Sequence, residues 1–241
     1  MNLGGPIVSA KVVSREFPTR EKAVLAVNGV SLEVFQGEFL AIVGRSGSGK
    51  TSLLNLLAGL DRPTSGSVYF EGRALSELSE SQLVELRRRR VGFVFQSFAL
   101  LPLLSAQENV ELPLHIAGVP WKERQGRAAE AIAKVGLAAR ARHRPYELSG
   151  GEQQRLGVAR ALVNNPSVVF ADEATGELDT VTAEAIATLL RDLTRSQGVT
   201  MIVATHDPIV MAKADRVVTM ADGSVVKHEV RTKPASMAAM P

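Results

Sequence analysis

The octapeptide GRSGSGKT, Gly44 to Thr51, sets three glycines ahead of a lysine and a threonine, directly after the apolar run FLAIV. It satisfies G-x-x-x-x-G-K-[ST] between a strand-like and a helix-like segment, the context in which such a loop cradles phosphates. Glycines let the backbone N–H groups of Gly44, Arg45, Ser46, Gly47, Ser48 and Gly49 turn toward an anion without Cβ obstruction. The helix start at Lys50, Thr51 and Ser52 adds its partial positive charge. Lys50 can then reach β- and γ-phosphates, and the Thr51 hydroxyl can ligate Mg²⁺.

A Mg²⁺-bound triphosphate needs an acid at the end of a neighbouring strand, because the hard cation takes oxygen ligands. SVVFADE, Ser167 to Glu173, supplies two. Asp172 is expected to hold Mg²⁺, directly or through water, and Glu173 to polarise the attacking water. A helix-start or surface carboxylate is the plainer alternative for Glu173. His206 closes a third apolar run, TMIVATH, before Asp207-Pro208, an N-cap and first-turn proline. It falls at the carboxyl edge of the sheet, where open α/β folds bind ligands. A γ-phosphate contact is expected there, with support of the cap as the alternative.

LSGGEQQR, Leu148 to Arg155, is a second glycine-bearing helix start. Ser149 and Glu152 have capping-box spacing, but a capping box does not require Gly150 and Gly151. Bare N–H groups beside a serine hydroxyl at a helix N-terminus form an anion site. With no lysine and no metal ligand, this turn is expected to contact a γ-phosphate without holding a nucleotide alone.

The elements that must position these groups follow from periodicity. Alternation up to Val34 reads as strands, and Phe39 to Gly44 as a buried strand ending at the loop. Further strands are expected at 91–96, 167–173 and 200–206, buried on both faces. A helix separates the last two, leaving room for parallel crossovers. From Ser97 to Leu148 no strand-like run occurs, and 121–144 reads as a basic, alanine-rich helical stretch. LRRRRVGF, Leu86 to Phe93, is most simply a solvated helix end leading into a strand, with a docking surface as the other reading.

The 241 residues suit one α/β domain with an insert. At 45% hydrophobic and 22% charged the composition is that of an ordinary globular protein, and a net charge of +3 is too small to argue for nucleic acid. The absence of cysteine excludes disulfides and thiolate metal sites and suits a reducing cytosol. No stretch approaches 18 apolar residues, so a membrane-spanning segment is not expected.

In order and type, GRSGSGKT, Gln96 in FVFQS, LSGGEQQR, VVFADE, Glu177-Leu178-Asp179 and Thr205-His206-Asp207 resemble the motifs of the ATP-binding cassette family, over roughly Val8 to Val230. The resemblance implies a P-loop NTPase (RecA-like) α/β fold: a mostly parallel sheet core, an antiparallel N-terminal β region and an inserted helical subdomain. The ATP-binding core would be 1–96 and 157–230, the helical subdomain 97–156, and 231–241 a tail without structure. It implies a head-to-tail pair of copies enclosing two Mg·ATP, the Ser149 turn of one copy completing the other's site. Gln96 would contact Mg²⁺ and the water while linking the core to the helical insert, unless it simply ends a strand; Asp179 would touch the opposite copy, N-cap the following helix, or both; and Phe17 would stack on adenine unless it is a core residue.

Two departures stand out: Ala174 where the family type reads proline, expected to loosen the turn, and Glu177 where it reads asparagine, placing an extra negative charge near the dimer seam. The resemblance implies an ATPase subunit on the cytoplasmic face of the cell membrane, driving an integral membrane permease through the helical subdomain. LLSAQENVELPL and the DE-x-TGxLD form look closest to the branch serving lipoprotein release, macrolide export and cell division, although polar amino-acid importers are similar. A soluble cassette protein acting on nucleic acid or ribosomes is the rival, disfavoured by the lack of a second cassette or long insert. A non-hydrolysing subunit is disfavoured by Glu173 and His206.

Overall fold

The computed structural model describes residues 4–18 and 23–231. Its strands are β1 (Val8–Phe17), β2 (Val24–Val34), β3 (Phe39–Val43), β4 (Ser65–Phe70), β5 (Arg73–Ala74), β6 (Val91–Val94), β7 (Val168–Asp172), β8 (Thr200–Thr205), β9 (Arg216–Ala221) and β10 (Ser224–Val230). Its α-helices are α1 (Lys50–Leu57), α2 (Glu80–Arg90), α3 (Ala106–Ile116), α4 (Trp121–Lys134), α5 (Gly150–Leu162), α6 (Thr180–Gln197) and α7 (Pro208–Lys213).

Two apolar patterns make two sheets. The alternating strands pair antiparallel in the order β2-β1-β4-β5. The continuously apolar strands form the second sheet, β10-β9-β3-β8-β7-β6, parallel except for the β9–β10 hairpin. Every residue of β3 and β8 is buried, as strands covered on both faces must be. Leu40, Ile42, Phe170 and Ile202 pack with α1 and the antiparallel sheet. On the opposite face Phe39, Ala41, Val169 and Met201 pack with α5 and α6. The phosphate-loop strand β3 lies beside β8, and β8 beside β7, so the three candidate segments end side by side at one sheet edge.

Among the described residues the insert has no separate core: Val110, Leu114 and Ile132 of α3 and α4 join Leu156 and Val158 of α5 in the cluster that also takes the sheet residues. The expected division between 156 and 157 falls inside α5, a single helix of 13 residues. Helix α4 is also shorter than 121–144; it stops at Lys134, and Gly136 at φ +74° turns the chain into a short 3₁₀ segment at Ala138–Arg140. Strand β6 ends at Val94, with Gln96 in the turn after it. Of the expected tail, 232–241 lies outside the described residues, while Arg231 is tied down, its N–H donating to Asp215 O at 2.7 Å and its guanidinium to Met211 O at 2.8 Å. No helix among the described residues is long and apolar enough to cross a membrane.

Candidate active site

Helix α1 begins without a side-chain cap, its N-cap being Gly49 at φ +98°. The glycines of the loop serve different needs. A Cβ on Gly44 would sit 2.4 Å from Met220 O, and one on Gly49 2.1 Å from Ala26 O, so close packing requires both. Gly47 meets nothing within 4 Å but holds φ +79° at the exposed lip. Lys50 is buried, its Nζ donating to Gly44 O at 3.0 Å and Arg45 O at 3.2 Å, so the loop curls around the ammonium. Arg45 and Ser46 are exposed on the rim, whereas Ser48 is buried at its base with a hydroxyl that no group satisfies among the described residues.

Thr51 Oγ1 donates to Asp172 Oδ1 at 3.2 Å, joining the first turn of α1 to the end of β7. Burial pushes the Asp172 carboxyl above the usual carboxylate range and the neighbouring Glu173 charge adds to this, against the Thr51 hydrogen bond and Lys50. Two convergent oxygens of which one is a carboxylate held short of full solvation fit a hard cation such as Mg²⁺.

Glu173 takes φ +47°, a left-handed backbone that costs a non-glycine residue roughly 1 kcal/mol or more. Its N–H donates to Ala204 O at 2.9 Å, and Gly176 N–H to Glu173 O at 2.9 Å, which fix the strained turn. The result is a half-buried carboxylate with Oε2 2.9 Å from His206 Nδ1 and Oε1 3.7 Å from Lys50 Nζ. His206 itself stands 70% exposed at the end of β8, open on the ligand side. Gln96 lies against the turn that follows Glu173, its amide nitrogen 3.4 Å from where a Cβ on Gly176 would be. No hydrogen bond links it to Thr51 or Asp172 among the described residues.

Phe17 is 38% exposed, so the core-phenylalanine alternative does not hold. It ends β1 opposite Val24, two residues along β2 from the Ala26 that abuts Gly49, with the Arg15 guanidinium 4.5 Å over its ring.

The second glycine turn is built differently. Ser149 Oγ accepts the Glu152 N–H at 3.3 Å and Glu152 Oε2 accepts the Ser149 N–H at 2.8 Å, a complete capping box, with Arg140 Nε 3.4 Å from the glutamate. Gly151 is buried, and a Cβ there would meet Thr182 Cγ2 at 2.4 Å; Gly150 has ordinary clearance. Gly151 is therefore a packing glycine, seating α5 on the first turn of α6. Asp179 N-caps that turn, accepting from Val181 N–H at 3.1 Å and Thr182 N–H at 3.0 Å, while its carboxylate stays exposed. The Thr182 hydroxyl and these N–H groups hold its carboxyl below the usual range. No hydrogen bond or ion pair joins the Ser149 turn to residues 44–52 among the described residues.

Two positioning residues escaped the sequence reading. Gln154 is fully buried, its Nε2 donating to Ala174 O at 2.6 Å and Phe95 O at 3.4 Å, which ties α5 to the residue after Glu173 and the residue before Gln96. The available signal was its spacing: it falls between Gly151 and Val158 on the core-facing side of α5. Thr175 Oγ1 donates to Asp207 Oδ2 at 2.7 Å, and Asp207 caps α7 through Ile209 N–H at 2.8 Å. The turns carrying Glu173 and His206 are thus joined twice.

The family model described as ABC transporter matches residues 27–176. A macrolide export ATP-binding/permease protein MacB of Rhodopseudomonas palustris is 45% identical over 97% of this chain and 36% of its own length. An uncharacterized ABC transporter ATP-binding protein of Thermotoga maritima is 50% identical over 88% of this chain and 90% of its own. The chain thus spans about a third of its macrolide-export relatives and most of the shorter one. The ATP-binding cassette MJ0796, solved as a dimer in a post-hydrolysis state bound to ADP and Pi, has a TM-score of 0.85 at 41% identity, covering 92% of this chain and 98% of that one. CbiO1 of Clostridium perfringens, part of the ABC transporter complex cbiONQ, has a TM-score of 0.84 at 27% identity, with coverage of 98% and 91%.

Proposed function

The chain belongs to the ATP-binding cassette family as one of its ATP-hydrolysing cassettes, and from that premise we propose how its residues divide the work. Lys50 and the N–H groups of the loop bind the β- and γ-phosphates, with Phe17 against the adenine. Thr51 and Asp172 would hold the Mg²⁺ that accompanies ATP, with Gln96 beside the Glu173 turn as a further oxygen ligand. When bound, the ion would supply charge neutralisation on the phosphates. Glu173 accepts a proton from the attacking water, and His206 orients that carboxylate while its remaining ring nitrogen faces the γ-phosphate. Lys50 stabilises the charge that develops as the phosphoryl group leaves.

The Ser149 turn acts on the other copy of a head-to-tail dimer, with Asp179 beside it at the seam. Among the described residues no hydrogen bond or ion pair joins the turn to residues 44–52 of its own chain, which supports this, as does the dimeric structure of MJ0796. A groove of about 500 Å³ between α2, β6, α3 and α5 is where a membrane permease docks; Phe95 and Ala99 line it on either side of Gln96, so a segment seated there moves with the site. On this reading the chain sits peripherally on the cytoplasmic face of the membrane, and its macrolide-export relatives support the lipoprotein-release, macrolide-export and cell-division branch over a role on nucleic acid.

The observation that carries the reading is the Glu173 carboxylate held between His206 and Lys50. Glu173→Gln should bind ATP normally, hydrolyse it at least ~10²-fold more slowly, and accumulate an ATP-bound dimer in gel filtration. Near-normal turnover would move the base to another residue, with His206 the first to test.

A further inference from the structure

The docking groove has a charge pattern that specifies its occupant. Its floor is apolar, made of Val91, Phe93 and Phe95 of the edge strand side and Leu112, Pro113 and Ile116 of α3. Its charged lining is Arg87, Arg88 and Arg160, with no aspartate or glutamate among the lining residues. Arg160 donates to the carbonyls of Phe98 and Ala99, and Arg87 to Gly59 O at 2.7 Å. Carbonyls satisfy donors but do not neutralise a charge. Arg88 pairs with Glu85 at 3.1 Å, a carboxylate it shares with Arg89, and its Nε is buried without a partner among the described residues. Burial pushes the Arg160 guanidinium below its ordinary range, the mark of a cation paying desolvation.

Resting on the permease reading above, we infer that the groove takes a segment of the membrane partner that is apolar on one side and presents a carboxylate between Arg87–Arg88 and Arg160. A carboxylate there would be a bidentate acceptor for guanidinium forks already oriented, Arg87 and Arg160 by carbonyls and Arg88 by Glu85. It would offset desolvation that the chain bears alone, and an amide or an amine at the same point would not. The arginine run of α2 then has a use beyond ending a helix: its first two members line the groove, although Arg88 also shares Glu85 with Arg89, and Arg90 pairs with Glu71.

The chain contains no cysteine, so Ile116→Cys, at a position 55% exposed, takes a benzophenone label at one place. Photocrosslinking in native membranes followed by mass spectrometry of the linked peptide reads the occupant directly. The expected result is a loop of an integral membrane protein containing aspartate or glutamate. That peptide, synthesised with its acid and with the corresponding amide, should differ about 10-fold or more in affinity for the unlabelled chain, less at high salt. Arg87→Gln and Arg160→Met, each checked for an unchanged melting transition, should each shrink the difference. A membrane-protein peptide lacking an acid, or equal affinity for acid and amide, overturns the inference and leaves the docking reading standing. A peptide from a second copy of this chain or from a soluble protein overturns both.

Discussion

The molecule starts two helices at glycines, α1 at the Gly44 to Thr51 loop and α5 at the Ser149 turn, and the two starts are physically unlike. The first has no side-chain cap and uses left-handed glycines to fold the chain around Lys50. The second is closed by its own serine and glutamate, and its glycines are helical. Capping at an N-terminus is worth about 0.5–2 kcal/mol, which α1 forgoes. An uncapped start whose glycines also curl the chain around a buried lysine is arranged for an anion. A start that satisfies itself, yet carries no side chain over its first N–H groups, can add donors to a site without being able to make one. The first turn gathers Lys50, Thr51, Asp172, Glu173 and His206 within one chain; the second gathers packing partners from α6 and nothing from the loop.

The strongest way to break this comparison is to remove the one cation the first turn encloses. Lys50→Ala should abolish tight ATP binding in equilibrium titration, since Arg45 is exposed on the rim and no other lysine sits within the loop. Unchanged affinity would make the two turns equivalent and the loop assignment wrong.

Next comes the asymmetry of position. Ser149→Arg fills the second turn and leaves the loop intact, so an isolated monomer should still bind nucleotide, while dimerisation and hydrolysis should fall at least ~10²-fold, the scale of losing a transition-state donor. Mixing Ser149→Arg with Lys50→Ala gives dimers with one composite site missing both elements and one retaining both. Some hydrolysis should return, with ATP bound only where Lys50 remains. Loss of ATP binding by a folded Ser149→Arg monomer would show that the turn acts within its own chain.

The first turn was fully legible in sequence because its chemistry is local: strand, glycines, lysine and threonine are consecutive. The acids and His206 were legible because each ends an apolar run, and parallel pairing of β3, β8 and β7 aligns those ends. The hairpin β9–β10 and the short β4–β5 pair were not read, their apolar runs being brief and mixed with glycine turns. Nor were the capping boxes at Ser79 and Gln82 and at Ser105 and Glu108, which start α2 and α3. For Gln154 the spacing gives the core-facing side of α5 but not the role: its partners are backbone carbonyls far along the chain, and a carbonyl leaves no trace in residue type. The same holds for Gly151, whose need is set by the Thr182 methyl.

That methyl gives the third test. Gly151→Ala should destabilise by overpacking, roughly 1–3 kcal/mol, a fall of about 5 °C in melting temperature for a chain this size. Thr182→Ser removes the methyl and keeps the hydroxyl that bonds Asp179, so the double variant should regain most of the loss. Gly47→Ala should instead weaken ATP binding, its cost lying in the left-handed backbone of the lip. If Gly151→Ala melts normally and fails only in hydrolysis, the second turn resembles the first more than its packing implies.

The smallest expected effect tests whether the first site gives up stability for its chemistry. Burial and the Glu173 charge raise the Asp172 pKa in the folded chain above its unfolded value. The folded state therefore binds this proton more tightly than the unfolded state does, so Asp172 contributes stability below its unfolded pKa, and loses it as pH rises through the folded value. At neutral pH without Mg²⁺ the ionised carboxylate is a net burden, eased but not removed by Thr51 and Lys50. Asp172→Asn, which keeps an acceptor for Thr51 and removes the charge, should raise the melting temperature of the EDTA-treated protein on the order of 2 °C at pH 7. The gain should shrink as pH falls through the raised pKa, where the wild-type carboxyl is already protonated. Mg·ATP should reverse the ranking, stabilising the wild type more than the variant, because only the wild type offers the cation a charged ligand. A variant no more stable than wild type in EDTA at pH 7 would mean that Lys50 already neutralises Asp172, and that the uncapped turn costs the fold nothing beyond its missing cap.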